Sequence, residues 1–123
     1  MAIATLVPLP ATPEFANVRI YEWTLTTADP TGDAVNVPRL ADRTIQFKGD
    51  TWGGATATVE GTLFFDASLT ASEFQVLTNQ STGNITATAD DLSLISEATA
   101  MVRPRLSTVG SGAVVRARLL IRN

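Results

Sequence analysis

The chain has no cysteine and no histidine, and of its nine basic residues only Lys48 is a lysine. Without cysteine there are no disulfides and no thiolate metal ligands. Without histidine the commonest general base near neutral pH and the commonest metal ligand are both missing, so neither a Ser-His nor a Cys-His catalytic arrangement can be built. Charge is scarce as well: 17% of residues are charged, against about 25% in an average soluble domain. The surface must therefore be rich in Thr, Ser, Ala and Gly, which suits a chain packed among copies of itself or against a partner. No apolar run reaches the roughly 18 residues of a membrane helix, and the opening MAIATLVPLPATPEF has no basic n-region and is broken by Pro8, Pro10 and Pro13. A soluble chain with no membrane partner and no signal peptide is the expectation.

What is present reads as β structure. At 123 residues one domain with a real core is expected, folding that removes roughly two thirds of the extended-chain surface from water. Residues 1–17 hold three of the six prolines and read as an extended N-terminal arm, apolar at Ile3, Leu6, Val7, Leu9 and Phe15, that captures a neighbouring subunit. Residues 18–123 read as one β-sandwich domain. VRIYEWTLT alternates with Tyr21, Trp23 and Leu25 on one face, and DRTIQFKG turns Ile45 and Phe47 inward. TTADPTGDAVNVPRL between them is a loop. GDTWGGATATVEGTLFF places a Gly-Gly turn before a strand whose inward face is Ala55, Ala57, Val59, Gly61 and Leu63. Side chains that small admit a bulky facing layer such as Tyr21, Trp23 or Phe47.

The one helix signal is LTASEFQVL. Thr70 and Glu73 form a capping box and Leu69 staples onto Phe74, predicting two turns from Ala71 to Leu77. ITATA and LSLI are short strands. AMVRPRLST and AVVRARLLIR form a closing hairpin, with Pro104 placing the first of them at a sheet edge because proline has no N–H for a ladder. Together these give an all-β antiparallel sandwich or jelly roll of about seven or eight strands with one short helix.

Candidate functional residues follow from charge and exposure. Beyond Glu97 there is no acid, while Arg103, Arg105, Arg116, Arg118 and Arg122 bring +5; the rest of the chain carries −8. Two readings are open: a guanidinium ladder for carboxylates of a partner, or cross-strand pairing within the chain to Glu60, Glu22 or Asp91. An acidic chain with one lysine argues against nucleic acid. Asp90-Asp91 is the only adjacent acid pair and reads as a cap on LSLISEA rather than a glycosidase dyad, and no acidic loop has calcium-site spacing. Tyr21 and Trp23 belong to the core. Trp52, in the glycine turn, is the ring expected at the surface, as an interface anchor or a lid on its own core.

In order, VNVPRLADRTIQFKG, DTWGGATATVEGTLFFD, FQVLTNQSTGNITAT and MVRPRLSTVGSGAVVRARLLIR resemble small virion proteins of tailed bacteriophages. The corresponding residues are Asp42 to Gly49, Trp52 to Gly61, Leu77 to Gly83, Val102 to Pro104 and Gly110 to Leu120, so the resemblance covers residues 36–122 and omits the arm. After Gly61 the chain departs from the usual S-x-D-G-x-x-W turn with TLFFDASLTASEF. Within that group the chain is most like capsid decoration, or cement, proteins. The resemblance implies a non-enzymatic protein on the outer capsid surface of the virion, made in the host cytoplasm, with no cofactor. Its partners would be the major capsid protein and copies of itself as dimer or trimer, touched through Ile3, Leu6, Leu9, Phe15, Trp52 and the five arginines. A carbohydrate-binding sandwich or a tail or adaptor module is the alternative.

Overall fold

Alternation of apolar and polar residues gives each strand one face that must leave water, and two sheets that pack those faces together satisfy all of them at once. The computed structural model describes residues 1–38, 41–64, 73–81 and 83–123. Among the described residues the strands are β1 (Thr5–Leu6), β2 (Val18–Thr26), β3 (Val35–Asn36), β4 (Asp42–Thr51), β5 (Thr56–Thr62), β6 (Gln75–Val76), β7 (Thr78–Asn79), β8 (Gly83–Asn84), β9 (Thr86–Ala87), β10 (Asp91–Leu94), β11 (Met101–Thr108) and β12 (Val114–Arg122). One sheet has the order β1-β2-β12-β4-β10 and the other β3-β11-β5-β6, with β9 also on β5 and β7-β8 forming a small hairpin. The chain is an all-β antiparallel sandwich.

The register explains the core. β12 lies between β2 and β4 so that Ala117 faces Trp23 on one side and Phe47 on the other. A small residue thus separates two large rings in one layer. Ala55, Ala57 and Val59 of the second sheet join the same buried cluster, so the thin strand meets the bulky layer as expected. Trp23 is fixed further by donating its indole N–H to the Asp33 carbonyl at 2.9 Å.

Several expectations are corrected. Residues 1–7 are not a free arm: Thr5 and Leu6 pair with Glu22 and Tyr21, the Val7 N–H reaches the Ile20 carbonyl, and buried Ala2 bonds Thr31 and Asp33. The prolines come only after this contact, so they end the strand without preventing it.

β11 is not an edge, because it lies between β3 and β5. Its Pro104 carbonyl accepts the Gly32 N–H and the Leu106 N–H reaches the Pro30 carbonyl. Backbone groups of alternate residues point the same way, so the ring nitrogen of Pro104 faces the irregular segment 30–32, where the ladder asks for little.

The predicted helix does not run on to Leu77: Glu73 has 3-10 geometry and the chain then turns to strand. Gln75–Val76 is a strand on β5, while Leu69, Thr70 and Ala71 lie outside the described residues. Capping signals are local, and the free edge of β5 offered this segment ladder bonds instead. Val35–Asn36, inside the expected loop, pairs with β11 for the same reason.

Finally, β5 is buried on both faces. Thr58, Glu60 and Thr62 are as enclosed as Ala57 and Val59, whereas Leu63, beyond the last ladder pair, stays 68% exposed. Ala57→Leu should therefore destabilise the protein by about 1 to 3 kcal/mol through overpacking. Thr58→Leu should cost a comparable amount, roughly 1 to 3 kcal/mol, since it also strips the Ile85 carbonyl of the hydroxyl that donates to it. Denaturant melts check both. A Thr58→Leu protein that melts like wild type would show that the outer face of β5 is open.

Candidate interaction surface

The five C-terminal arginines do not form a free ladder. Arg103 and Arg105 both reach Glu60, at 3.0 and 2.8 Å. Arg116 lies 3.6 Å from Asp50 and 4.0 Å from Glu22, Arg118 lies 3.1 Å from Glu22, and Arg122 lies 2.6 Å from Asp42. Pairing to Glu60 and Glu22 matches the second reading of the sequence, while Asp50 and Asp42 take the part foreseen for Asp91. The cause is register: Arg103 lies directly opposite Glu60, Arg118 opposite Glu22, and Arg122 opposite Asp42.

These pairs are not equivalent. Glu60 and Arg103 are buried, and the Arg103 guanidinium also sits 3.7 Å from the centre of the buried Phe74 ring. That arrangement gives the buried cation both an anion and an aromatic face. Arg122 and Asp42 are each more than half exposed, where ion pairs contribute little. Glu60→Gln should consequently destabilise the fold by about 3 kcal/mol or more, because it leaves a buried guanidinium without its anion. Arg122→Ala should cost less than about 1 kcal/mol. Equal losses in urea melts would contradict this ranking.

Trp52 is a lid. Its ring is partly buried against the core and packs over Gly49 so closely that a Cβ there would lie 2.3 Å from the indole nitrogen. The positive-φ pair Gly53 and Gly54 makes the turn that brings it back. Asp90 pins the lid: one carboxylate oxygen accepts the Gly49 N–H at 2.9 Å and the Trp52 indole N–H at 3.0 Å. Asp90 is therefore no helix cap, and the residues after it form β10.

The Gly49 N–H, the Trp52 indole and the positive charge of Lys48 hold the Asp90 carboxyl below its ordinary value. A depressed pKa contributes stability above the unfolded-state value, and that contribution disappears as pH falls through the folded-state value. Wild type should therefore be more stable than Asp90→Asn at neutral pH, with the gap closing only below the usual carboxylate range near pH 4. Paired thermal melts from pH 7 to pH 2 measure it; a gap that persists unchanged at pH 2 would show that the charge on Asp90 is irrelevant.

Two polar anchors were not singled out from the sequence. Arg43 is 2% exposed and donates to the carbonyls of Glu97 and Pro38 at 3.0 and 3.1 Å and to the Thr99 hydroxyl at 3.4 Å, while burial lowers its pKa. It ties the segments at 38 and 97–99 to β4. Its position was legible, since 43, 45 and 47 share a face. Glu97 accepts from the Thr78 N–H and hydroxyl; burial opposes its charge, but those two bonds prevail and hold its carboxyl below the ordinary value.

Several large apolar side chains remain exposed. Ile3, Leu6 and Phe15 of the arm are 74, 56 and 38% exposed, Leu63 and Phe64 are exposed after β5, and Leu92 and Leu94 are exposed on β10. Leu9 is half-buried. Of the two tryptophans, Trp23 is 1% exposed and Trp52 is pinned by Asp90. Comparison with protein-family models, curated proteins and solved structures finds no match.

Proposed function

We propose that this chain is a non-enzymatic structural protein of a tailed-phage virion, a decoration or cement protein that binds the outer capsid surface and bridges coat subunits. The observation that carries the reading is a contrast in the surface. The arginines of the C-terminal segment are neutralised within the chain, while pairs of large apolar side chains on the arm, after β5 and on β10 are left in water. Interface centres are depleted in charge and enriched in such side chains.

Strand order supports the same reading. With β1 and the β7-β8 hairpin set aside, and β6 and β9 counted as two halves of one interrupted strand, the positions in chain order are β2, β3, β4, β5, β6/β9, β10, β11 and β12. They fall as first-eighth-third-sixth in one sheet and second-seventh-fourth-fifth in the other. We infer from this order a jelly roll, the two-Greek-key architecture common in viral capsid and lectin domains. Fold alone does not assign a role, and the resemblance of residues 36–122 to small virion proteins is what selects the capsid over the lectin.

Immunogold labelling of virions that carry this chain, imaged in negative stain, tests the proposal. Label distributed over the outer head surface is expected, together with earlier genome release on heating from heads that lack the protein. Label confined to the tail would replace the cement role with an adaptor role, and specific binding on a glycan array with no virion label would favour the carbohydrate-binding module.

A further inference from the structure

Like charges directly opposite one another on a sheet are unfavourable, yet the outer face of the first sheet contains such a pair. β12 sets Arg116 across from Lys48 of β4 and Thr24 of β2, while Arg118, two residues on, lies across from Gln46 and Glu22. Lys48 is thus opposite one arginine and diagonal to the other, within reach of both along their long side chains. Lys48, Arg116, Arg118, Glu22 and Gln46 line an open cleft of about 300 Å³.

The cations of this cleft are not equally occupied. Arg118 donates its Nε–H to Glu22 at 3.1 Å, and Arg103, Arg105 and Arg122 each donate to a carboxylate as well. Of the five C-terminal arginines, only Arg116 makes no hydrogen bond among the described residues. Its terminal nitrogens stop 4.0 Å from Glu22 and 3.6 Å from Asp50, beyond hydrogen-bond length, and its Nε is enclosed without an acceptor. Lys48 is exposed and has neither a hydrogen bond nor an ion pair among the described residues. The nearby acids are engaged elsewhere: Glu22 is held by Arg118, and Asp90 accepts from Gly49 and Trp52. A guanidinium and an ammonium therefore face each other across the ladder with their donors unused.

We propose that this cleft receives an acidic side chain of a partner protein, whose carboxylate accepts from Arg116 and Lys48 together. A carboxylate matches the planar fork of a guanidinium, and hydrogen bonds between ionised groups are the strong ones. Glu22, Asp50 and Asp90 balance the charges of Lys48, Arg116 and Arg118, so no surplus field draws the anion; the unused donors do. That balance favours a singly charged carboxylate over a phosphate, whose second charge would meet Glu22 and Asp50 with nothing to offset it. Beside the cleft, Leu92 lies across from Gln46 and is 63% exposed, which gives an apolar neighbour of the incoming acid a surface to cover. The inference does not rest on the virion reading.

Backbone-amide NMR of the full chain tests this with three probes: a Leu-Glu-Leu peptide capped at both ends, the same peptide with glutamine, and inorganic phosphate. Each is compared with sodium chloride at equal ionic strength. The glutamate peptide should give saturable shifts in the millimolar range, centred on residues 22–24, 46–48 and 116–118, while the glutamine peptide and chloride should not. Arg116→Gln should weaken binding by about tenfold or more, the loss expected for hydrogen bonds to a charged group. Lys48→Gln should weaken it as well, and Arg122→Gln, at the other end of β12, should leave it unchanged. Melting temperatures of the three variants separate loss of the cleft from loss of the fold, and exposed Lys48 carries the test should Arg116→Gln disturb β12. The proposal is overturned by an absence of saturable shifts or by shifts that chloride or the glutamine peptide reproduces, either of which would leave Arg116 and Lys48 simply hydrated. Tighter binding of phosphate than of the glutamate peptide, or an affinity that survives both Arg116→Gln and Lys48→Gln, would overturn it equally.

Discussion

The last strand of the chain is the middle of its first sheet, and most of the architecture depends on that placement. β12 pairs along its whole length with β2 on one side and β4 on the other, so its odd-numbered residues must fill the core while its even-numbered ones stay outside. Val115, Ala117, Leu119 and Ile121 are almost fully buried. Until Val114–Arg122 arrives, β2 and β4 share no ladder and Trp23 and Phe47 have no common layer to pack in. Such long-range pairing must close large loops before any contact is rewarded, which makes this a topology that forms slowly.

The second sheet answers a different constraint. β5 is covered on both faces, yet its outer face carries Glu60, a residue chosen for water. Register resolves the conflict by setting Arg103 directly across from it and Arg105 one step along the same face, and Phe74 then covers the Arg103 guanidinium. A buried ion pair of this kind is weak evidence for added stability, because desolvation offsets most of the attraction. Its consequence is specificity: only one register gives both charges a partner, and a slip by one residue would leave them buried alone. The arginines that looked like a docking ladder are therefore the means by which the chain aligns its own strands.

With the C-terminal arginines paired inside the chain, the large side chains left in water include many apolar ones. The arm covers one edge of the first sheet with its own residues and leaves Ile3 and Leu6 in water, while Leu92 and Leu94 are exposed on β10 at the other edge. The exposed apolar side chains of the arm, of residues 63 and 64 and of β10 are the property of the surface on which the proposed capsid role rests.

The period of two was enough to find β2, β4, β5 and β12, to bury Trp23, Ile45, Phe47 and Ala57, and, counted one step further, to bury Arg43. The pairing of the arginines with acids of the chain was also within reach, though not which acids, because Asp42 and Asp50 become partners only through the β4-β12 register. Local signals misled where a nearby edge outbid them: a helix expected to reach Leu77 gave way to ladder bonds at Gln75–Val76, and three prolines did not keep residues 5 and 6 from joining β2. Pro104 was placed at an edge by a rule about its missing N–H, but only the fold decides which neighbour that N–H would have faced. Side-chain periodicity is written along the chain and can be read there; which backbone groups find partners is a property of strands distant in sequence, and it exists only once they are assembled.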